Sequence, residues 1–183
     1  GNSNTDPHTG LPEIKISSER LKNELLEPFK KLLPLSSSVL MSHARITVED
    51  DPSYCDSSIP ACLSEFWVTK VLREDFGFEG LVLSDDIFMG ALSQNGFPPE
   101  EAAVRAMEAG VNVIMVSEKR ISAPAKVLIS KAEKDENFKR LIDNSFKKVM
   151  EYKIRRNLVS FEKDAAGVYS VVPVLPAESV DFH

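Results

Sequence analysis

Apolar positions follow two rhythms along this chain: short solid runs, and longer stretches in which they recur every three or four residues. Leu21, Leu25, Leu26, Phe29, Leu32 and Leu33 mark one side of a helix over residues 18–33, and Pro28 within it predicts a kink or a split. Val39, Leu40 and Met41 belong to a buried strand over 38–42 with His43 at its end, and a polar loop over 47–60 follows. Leu63, Trp67, Val68, Val71 and Leu72 return to helical spacing over 63–76, and Gly77 suits the end of that helix. Trp67 is expected to pack this helix onto a sheet. The next strand, 80–84, runs into Asp85 and Asp86. Pro98-Pro99-Glu100-Glu101 opens a helix that closes at Gly110, because proline fits a first turn and carboxylates favour its positive end. Residues 111–116 read as a third buried strand, with helices expected over 123–134 and 136–156. Residues 1–12 read as a loop, and 158–183 as a tail or surface strap.

Three short apolar strands separated by helices predict right-handed β-α-β units and a parallel sheet. Such a sheet needs both faces covered, and three strands alone would leave apolar edges bare. An eight-stranded barrel usually takes about 250 residues, so this 183-residue chain fits roughly half of one.

Composition narrows the partners. A net charge of −6 argues against nucleic acid, and the basic cluster Lys153-Ile154-Arg155-Arg156 reads as a solvated helix end. No apolar run approaches the roughly 18 residues of a membrane span. Cys55 and Cys62 lack zinc-site spacing and read as reduced structural thiols, so no metal is expected. No signal peptide is read at the start. The expected location is the cytoplasm, with export left open because the chain looks truncated before Gly1.

The chemistry gathers in two segments. Leu81-Val82-Leu83-Ser84-Asp85-Asp86 delivers adjacent carboxylates to a strand end, where active sites of α/β folds collect. Alternation along a strand points neighbouring side chains to opposite faces, so one aspartate is expected to face the site. The other would orient a neighbour or cap the next helix. In Asp6-Pro7-His8 an aspartate two residues away can hydrogen-bond the imidazole and favour its protonated form, making a proton donor near neutral pH. His43 faces the same rim, either as a hydrogen-bonded rim histidine or as a sugar contact.

Gly1-Asn2-Ser3-Asn4-Thr5-Asp6-Pro7-His8-Thr9-Gly10-Leu11-Pro12 resembles the catalytic loop of family 3 glycoside hydrolases, in the bacterial β-N-acetylglucosaminidase branch. Gly77-Phe78-Glu79-Gly80 through Ser84-Asp85-Asp86-Ile87-Phe88-Met89-Gly90-Ala91 is similar to that family's nucleophile segment. Pro60-Ala61-Cys62-Leu63-Ser64 and the stretch from Ala102 to Gly110 match further segments in order. The resemblance covers residues 1–156. It implies the C-terminal half of a (β/α)8 TIM-type barrel over 1–157, and a retaining glycosidase with no cofactor. Asp85 would be the nucleophile, His8 the general acid/base assisted by Asp6, and Met89 a residue near the sugar. The implied substrate is a terminal N-acetyl-β-glucosaminide, plausibly from recycled peptidoglycan, and the implied partner is the N-terminal part of the same barrel. Pro7 departs from the family's usual serine. The family's Lys-His segment and its upstream sugar-holding arginine and aspartate have no counterpart here.

Two other classes compete. A magnesium-dependent phosphoacceptor domain would use Asp85 and Asp86 together on the cation, with Ser117-Glu118-Lys119 at a later strand end. A non-catalytic barrel half kept for interaction is the third.

Overall fold

The computed structural model describes residues 10–54, 57–117 and 119–174. Strand β1 (Glu13–Ile16) leads into a helical run, α1, over residues 18–35. Ser17 caps that run by accepting from the Arg20 N–H. Its second segment, Leu21–Leu26, is wound in wide π-type turns just before Pro28, which lies in the first turn of the α-helical segment Glu27–Leu32. Proline offers no N–H to the preceding turn, so the run changes winding there rather than continuing straight. Strands β2 (Ser38–Met41) and β3 (Arg45–Val48) follow, then a 3-10 turn over Ala61–Leu63 and the ten-residue helix α2 (Phe66–Asp75). Strand β4 (Leu81–Asp86), the short helix α3 (Gly90–Ser93), helix α4 (Pro99–Ala109) and strand β5 (Val113–Met115) complete the central unit. Gly110 ends α4 at φ +103°, a left-handed position that a β-carbon would strain.

The central sheet is parallel and ordered β2-β4-β5. This confirms the α/β class with a parallel sheet; among the described residues no closed barrel forms. Val39, Met41 and Val82 turn one face toward α2 and α4, whose Val68, Leu72, Ala102, Ala103 and Ala106 are buried against it. The alanines let α4 approach closely, and burying Val82 alone contributes about 1.5–3 kcal/mol. Leu40, between Val39 and Met41 on the strand, points the other way and is 52% exposed.

Four strands, in two pairs, escaped the sequence reading. Glu13-Ile14-Lys15-Ile16 pairs in parallel with Arg45-Ile46-Thr47-Val48, outside the central sheet. Each is four residues long with charged or polar alternates, too short a period-2 signal beside the longer helical patterns. The pair buries Ile16 and Val48 in a second cluster with Leu21, Ala61, Trp67 and Val71. Trp67 thus packs α2 onto this small sheet, edge-on to Phe66 and beside Tyr54. The segment read as a tail or strap carries an antiparallel hairpin, β6 (Val159–Lys163) with β7 (Tyr169–Pro173). Asp164 accepts from Ala166 and Val168 N–H to hold its turn, and Gly167 supplies φ +83°.

Helices α5 (Ser122–Ala132) and α6 (Glu136–Arg155) follow β5. The Asp135 carboxylate caps α6 on the Asn137 and Phe138 N–H groups. The helix passes the strand starts in turn: Asn112 before β5 donates to Ser145, Lys148 donates to the Glu79 carbonyl before β4, and Arg156 donates to Ser37 before β2. A cavity of about 850 Å³ lies at this N-terminal end, lined by Ser37, Phe78, Lys148, Tyr152 and Arg155 among others, away from the carboxylates. Arg73 staples the same end. Its guanidinium donates to the Phe78 and Gly80 carbonyls and to Asn112 Oδ1, which in turn accepts the Val82 N–H. Arg73→Leu removes charged donors from three acceptors and is expected to cost about 2 kcal/mol or more. A shift of the denaturant midpoint at constant m-value measures it. A loss below about 0.5 kcal/mol, within the range of ordinary surface changes, would contradict the staple.

Candidate active site

Parallel strands bring their C-terminal ends to one edge, and three ends meet here: Ser42-His43 after β2, Asp85-Asp86 closing β4, and Ser117 after β5. The ladder between β4 and β5 steps from Leu83 opposite Val113 to Asp86 opposite Met115, three residues against two. This bulge breaks the strict alternation assumed from sequence, and such bulges re-aim side chains beside active sites. The two aspartates do receive different surroundings.

Asp86 is held through its N–H, its carbonyl and one carboxylate oxygen. Its Oδ1 accepts the Phe88 N–H at 3.0 Å and the Ser117 N–H at 3.1 Å, tying the turn after β4 to the end of β5. Its carbonyl accepts the Met89 N–H at 3.1 Å and lies 2.9 Å from His43 Nε2. Its own N–H donates to Asp85 Oδ1 at 2.8 Å. Asp86 thus links the turn after β4 to β2 and β5 and holds one Asp85 oxygen, and its own Oδ1 meets two backbone donors. Asp85 is half-buried at the rim, and among the described residues no donor reaches its second oxygen, Oδ2.

His43 is 1% exposed. A carbonyl only accepts, so the bond to Asp86 puts a proton on Nε2. Nδ1 lies 3.0 Å from Cys62 Sγ and takes the thiol proton's hydrogen bond. Both ring nitrogens are thus engaged within the chain, the hydrogen-bonded rim arrangement; a sugar contact would have to displace one of them. Backbone bonds set the meeting: Ala61 N–H donates to the Ala44 carbonyl and Cys62 N–H to the Ser42 carbonyl, fixing the 3-10 turn against the end of β2. Burial, reinforced by the Asp85 carboxylate, pushes the Cys62 thiol up to about 12.

Met89 is half-buried, on the turn that leads into α3. His8 and Asp6 lie outside the described residues, as does Glu118. Cys62, read from sequence as an inert thiol, is the participant that spacing alone did not reveal, because its partner stands nineteen positions earlier. Among the described residues no group of three or more His, Cys, Asp or Glu side chains could hold a metal ion. No described helix is long and apolar enough to cross a membrane.

A parallel sheet covered by helices on one face, with an oriented carboxylate at its C-terminal edge, makes an α/β domain of the kind that binds ligands at strand ends. The glycosyl hydrolase family 3 N terminal domain profile matches residues 1–152, and the chain belongs to that family. It is 33% identical over 128 residues to a β-hexosaminidase of Tolumonas auensis, covering 68% of this chain and 36% of that protein. A β-hexosaminidase of Idiomarina loihiensis is 32% identical over 123 residues, covering 67% of this chain and 35% of the relative. The chain thus spans about a third of the length of these relatives. Among solved structures, a family 3 β-N-acetylglucosaminidase from Paenibacillus sp. str. FPU-7 superposes with a TM-score of 0.75 at 29% identity, over 86% of this chain and 29% of that one. The β-N-acetylglucosaminidase from Thermotoga maritima gives 0.66 at 29% identity, over 84% of this chain and 36% of its own.

The raised thiol has a measurable sign. The folded Cys62 keeps its proton up to about 12, whereas an unfolded thiol ionises near 9.0, so stability is full below that lower value. It falls as pH climbs between the two. In a Cys55→Ser background, the native protein at pH 8 is expected to react with a disulfide reagent far more slowly than the unfolded chain. Equal rates would contradict the buried, protonated thiol.

Proposed function

We propose that the chain is the part of a retaining β-N-acetylhexosaminidase that carries both reacting groups. The observation that carries this reading is Asp85. It stands at the C-terminal edge of β4 in the segment that resembles the family's nucleophile, with one oxygen held by the Asp86 N–H and the other free of described donors. A retaining mechanism needs such an anion and a separate proton donor. In the proposed reaction Asp85 Oδ2 attacks the anomeric carbon while His8, kept protonated by Asp6, gives its proton to the leaving glycosidic oxygen. The neutral imidazole then takes a proton from water, and that water's oxygen attacks the same carbon and releases Asp85.

The substrate proposed is a terminal N-acetyl-β-glucosaminide, with peptidoglycan fragments as its natural source; the names of the relatives support the sugar. The barrel belongs to the proposal too: β2, β4 and β5 would be three of its eight strands, and the N-terminal part would supply the rest together with the residues holding the sugar. Exposed Leu40 on the uncovered sheet face supports a missing apolar partner there. The magnesium reading would need both aspartates and a third ligand on one cation, whereas Asp86 Oδ1 accepts two N–H groups and among the described residues no group of three or more acidic, His or Cys side chains gathers to hold one.

Incubating the full-length enzyme with a fluorinated N-acetylglucosaminide is expected to add one sugar mass to the peptide bearing Asp85. Label on another residue, or activity without any label, would remove the mechanism. Asp85→Asn is expected to lower kcat by about 10³-fold or more, since a neutral amide is a poor nucleophile. Residues 1–183 expressed alone are expected to leave an aryl N-acetylglucosaminide intact; turnover at the full-length rate would refute the need for the N-terminal part.

A further inference from the structure

Beyond the reacting groups, we infer that Cys62 and His43 act as a positioning pair that aims Asp85 through the residue next to it. The inference rests on the reading of Asp85 as nucleophile. The chain of contacts is continuous. The Cys62 thiol donates to His43 Nδ1, His43 Nε2–H donates to the Asp86 carbonyl, and the Asp86 N–H donates to Asp85 Oδ1.

Each link has a physical reason to matter. Cys62 is fully buried in the hydrophobic cluster, and the one polar partner its thiol meets there is the imidazole. The thiol also selects the tautomer: an acceptor-type Nδ1 leaves the ring proton on Nε2, the form able to hold the carbonyl. The remaining bonds to Asp86 come from backbone N–H groups, those of Phe88 and Met89 in its own turn and that of Ser117 after β5. His43 is the side-chain donor, and it ties Asp86 to the end of β2, the neighbour on the other side of β4. The strand needs that tie because the ladder is interrupted by the bulge between Leu83 and Asp86. With residue 86 fixed, its N–H selects one Asp85 oxygen to hold and leaves the other to attack.

The test uses the full-length enzyme and reads two things: kcat and KM on an aryl N-acetylglucosaminide, and the rate at which a fluorinated N-acetylglucosaminide labels Asp85. Cys62→Ala is expected to slow both kcat and labelling about three- to tenfold with KM within about twofold, as a slightly misplaced reacting group would. Cys62→Ser, which keeps a donor for Nδ1, should recover at least half of that loss. His43→Leu should slow labelling about 100-fold and His43→Gln less, because the amide can still donate to the carbonyl. Should the His43 variants fail to fold, the Cys62 pair decides alone. Unchanged kcat and labelling in folded Cys62→Ala protein would overturn the pair, as would a loss confined to KM or a serine variant no better than alanine. Absence of label on Asp85 in the active wild-type enzyme would instead remove the nucleophile reading beneath it.

Discussion

Everything at the candidate site depends on how Asp86 is held. Its Oδ1, carbonyl and N–H are engaged, with Phe88 and Ser117, with His43 and Met89, and with Asp85. A strand end in a parallel sheet is where ladder bonds run out, and here the ladder is already broken by a bulge. Side-chain and turn bonds replace the missing ones. The result is a fixed peptide beside a carboxylate with one oxygen that no described donor reaches. Electrostatic work at an active site gains from such fixed geometry, since nothing then has to reorganise when charge moves.

The rest of the fold serves this edge from the other end. Helix α6 passes the starts of β5, β4 and β2, and Arg73 links Phe78, Gly80 and Asn112. Polar bonds gather where the strands begin, and the helix-facing side of the sheet is sealed by valines, leucines and the alanines of α4. This division, stabilising bonds at one end and the candidate site at the other, is usual in parallel α/β domains. The opposite sheet face keeps Leu40 exposed, which suits a chain that covers about a third of its relatives' length.

Much of this was legible before any coordinates. The strands at 38–42, 80–84 and 111–116 appear within a few residues of their expected limits, and the helices at Pro99–Ala109, Ser122–Ala132 and Glu136–Arg155 match theirs closely. Solid apolar runs, a Pro-Glu opening and a glycine stop are local signals, and local physics reads them. Strand β4 extends past Ser84 through both aspartates, because pairing with β5 and not hydrophobicity carries it there. The pair β1–β3 was hidden for the same reason. Ile14, Ile16, Ile46 and Val48 alternate, but four residues of alternation become a strand only when a partner supplies the hydrogen bonds.

The amino-acid order by itself determined the parallel α/β class and the family, and it singled out the acidic strand end as the candidate site, since each rests on periodicity or on a contiguous motif. Only the tertiary structure decided that Asp86 joins three strand ends while its N–H holds one oxygen of Asp85, and that Cys62 meets His43. Those outcomes turn on a bulge and on contacts between segments far apart in the chain, and hydrogen-bond geometry across such distances leaves no periodic trace.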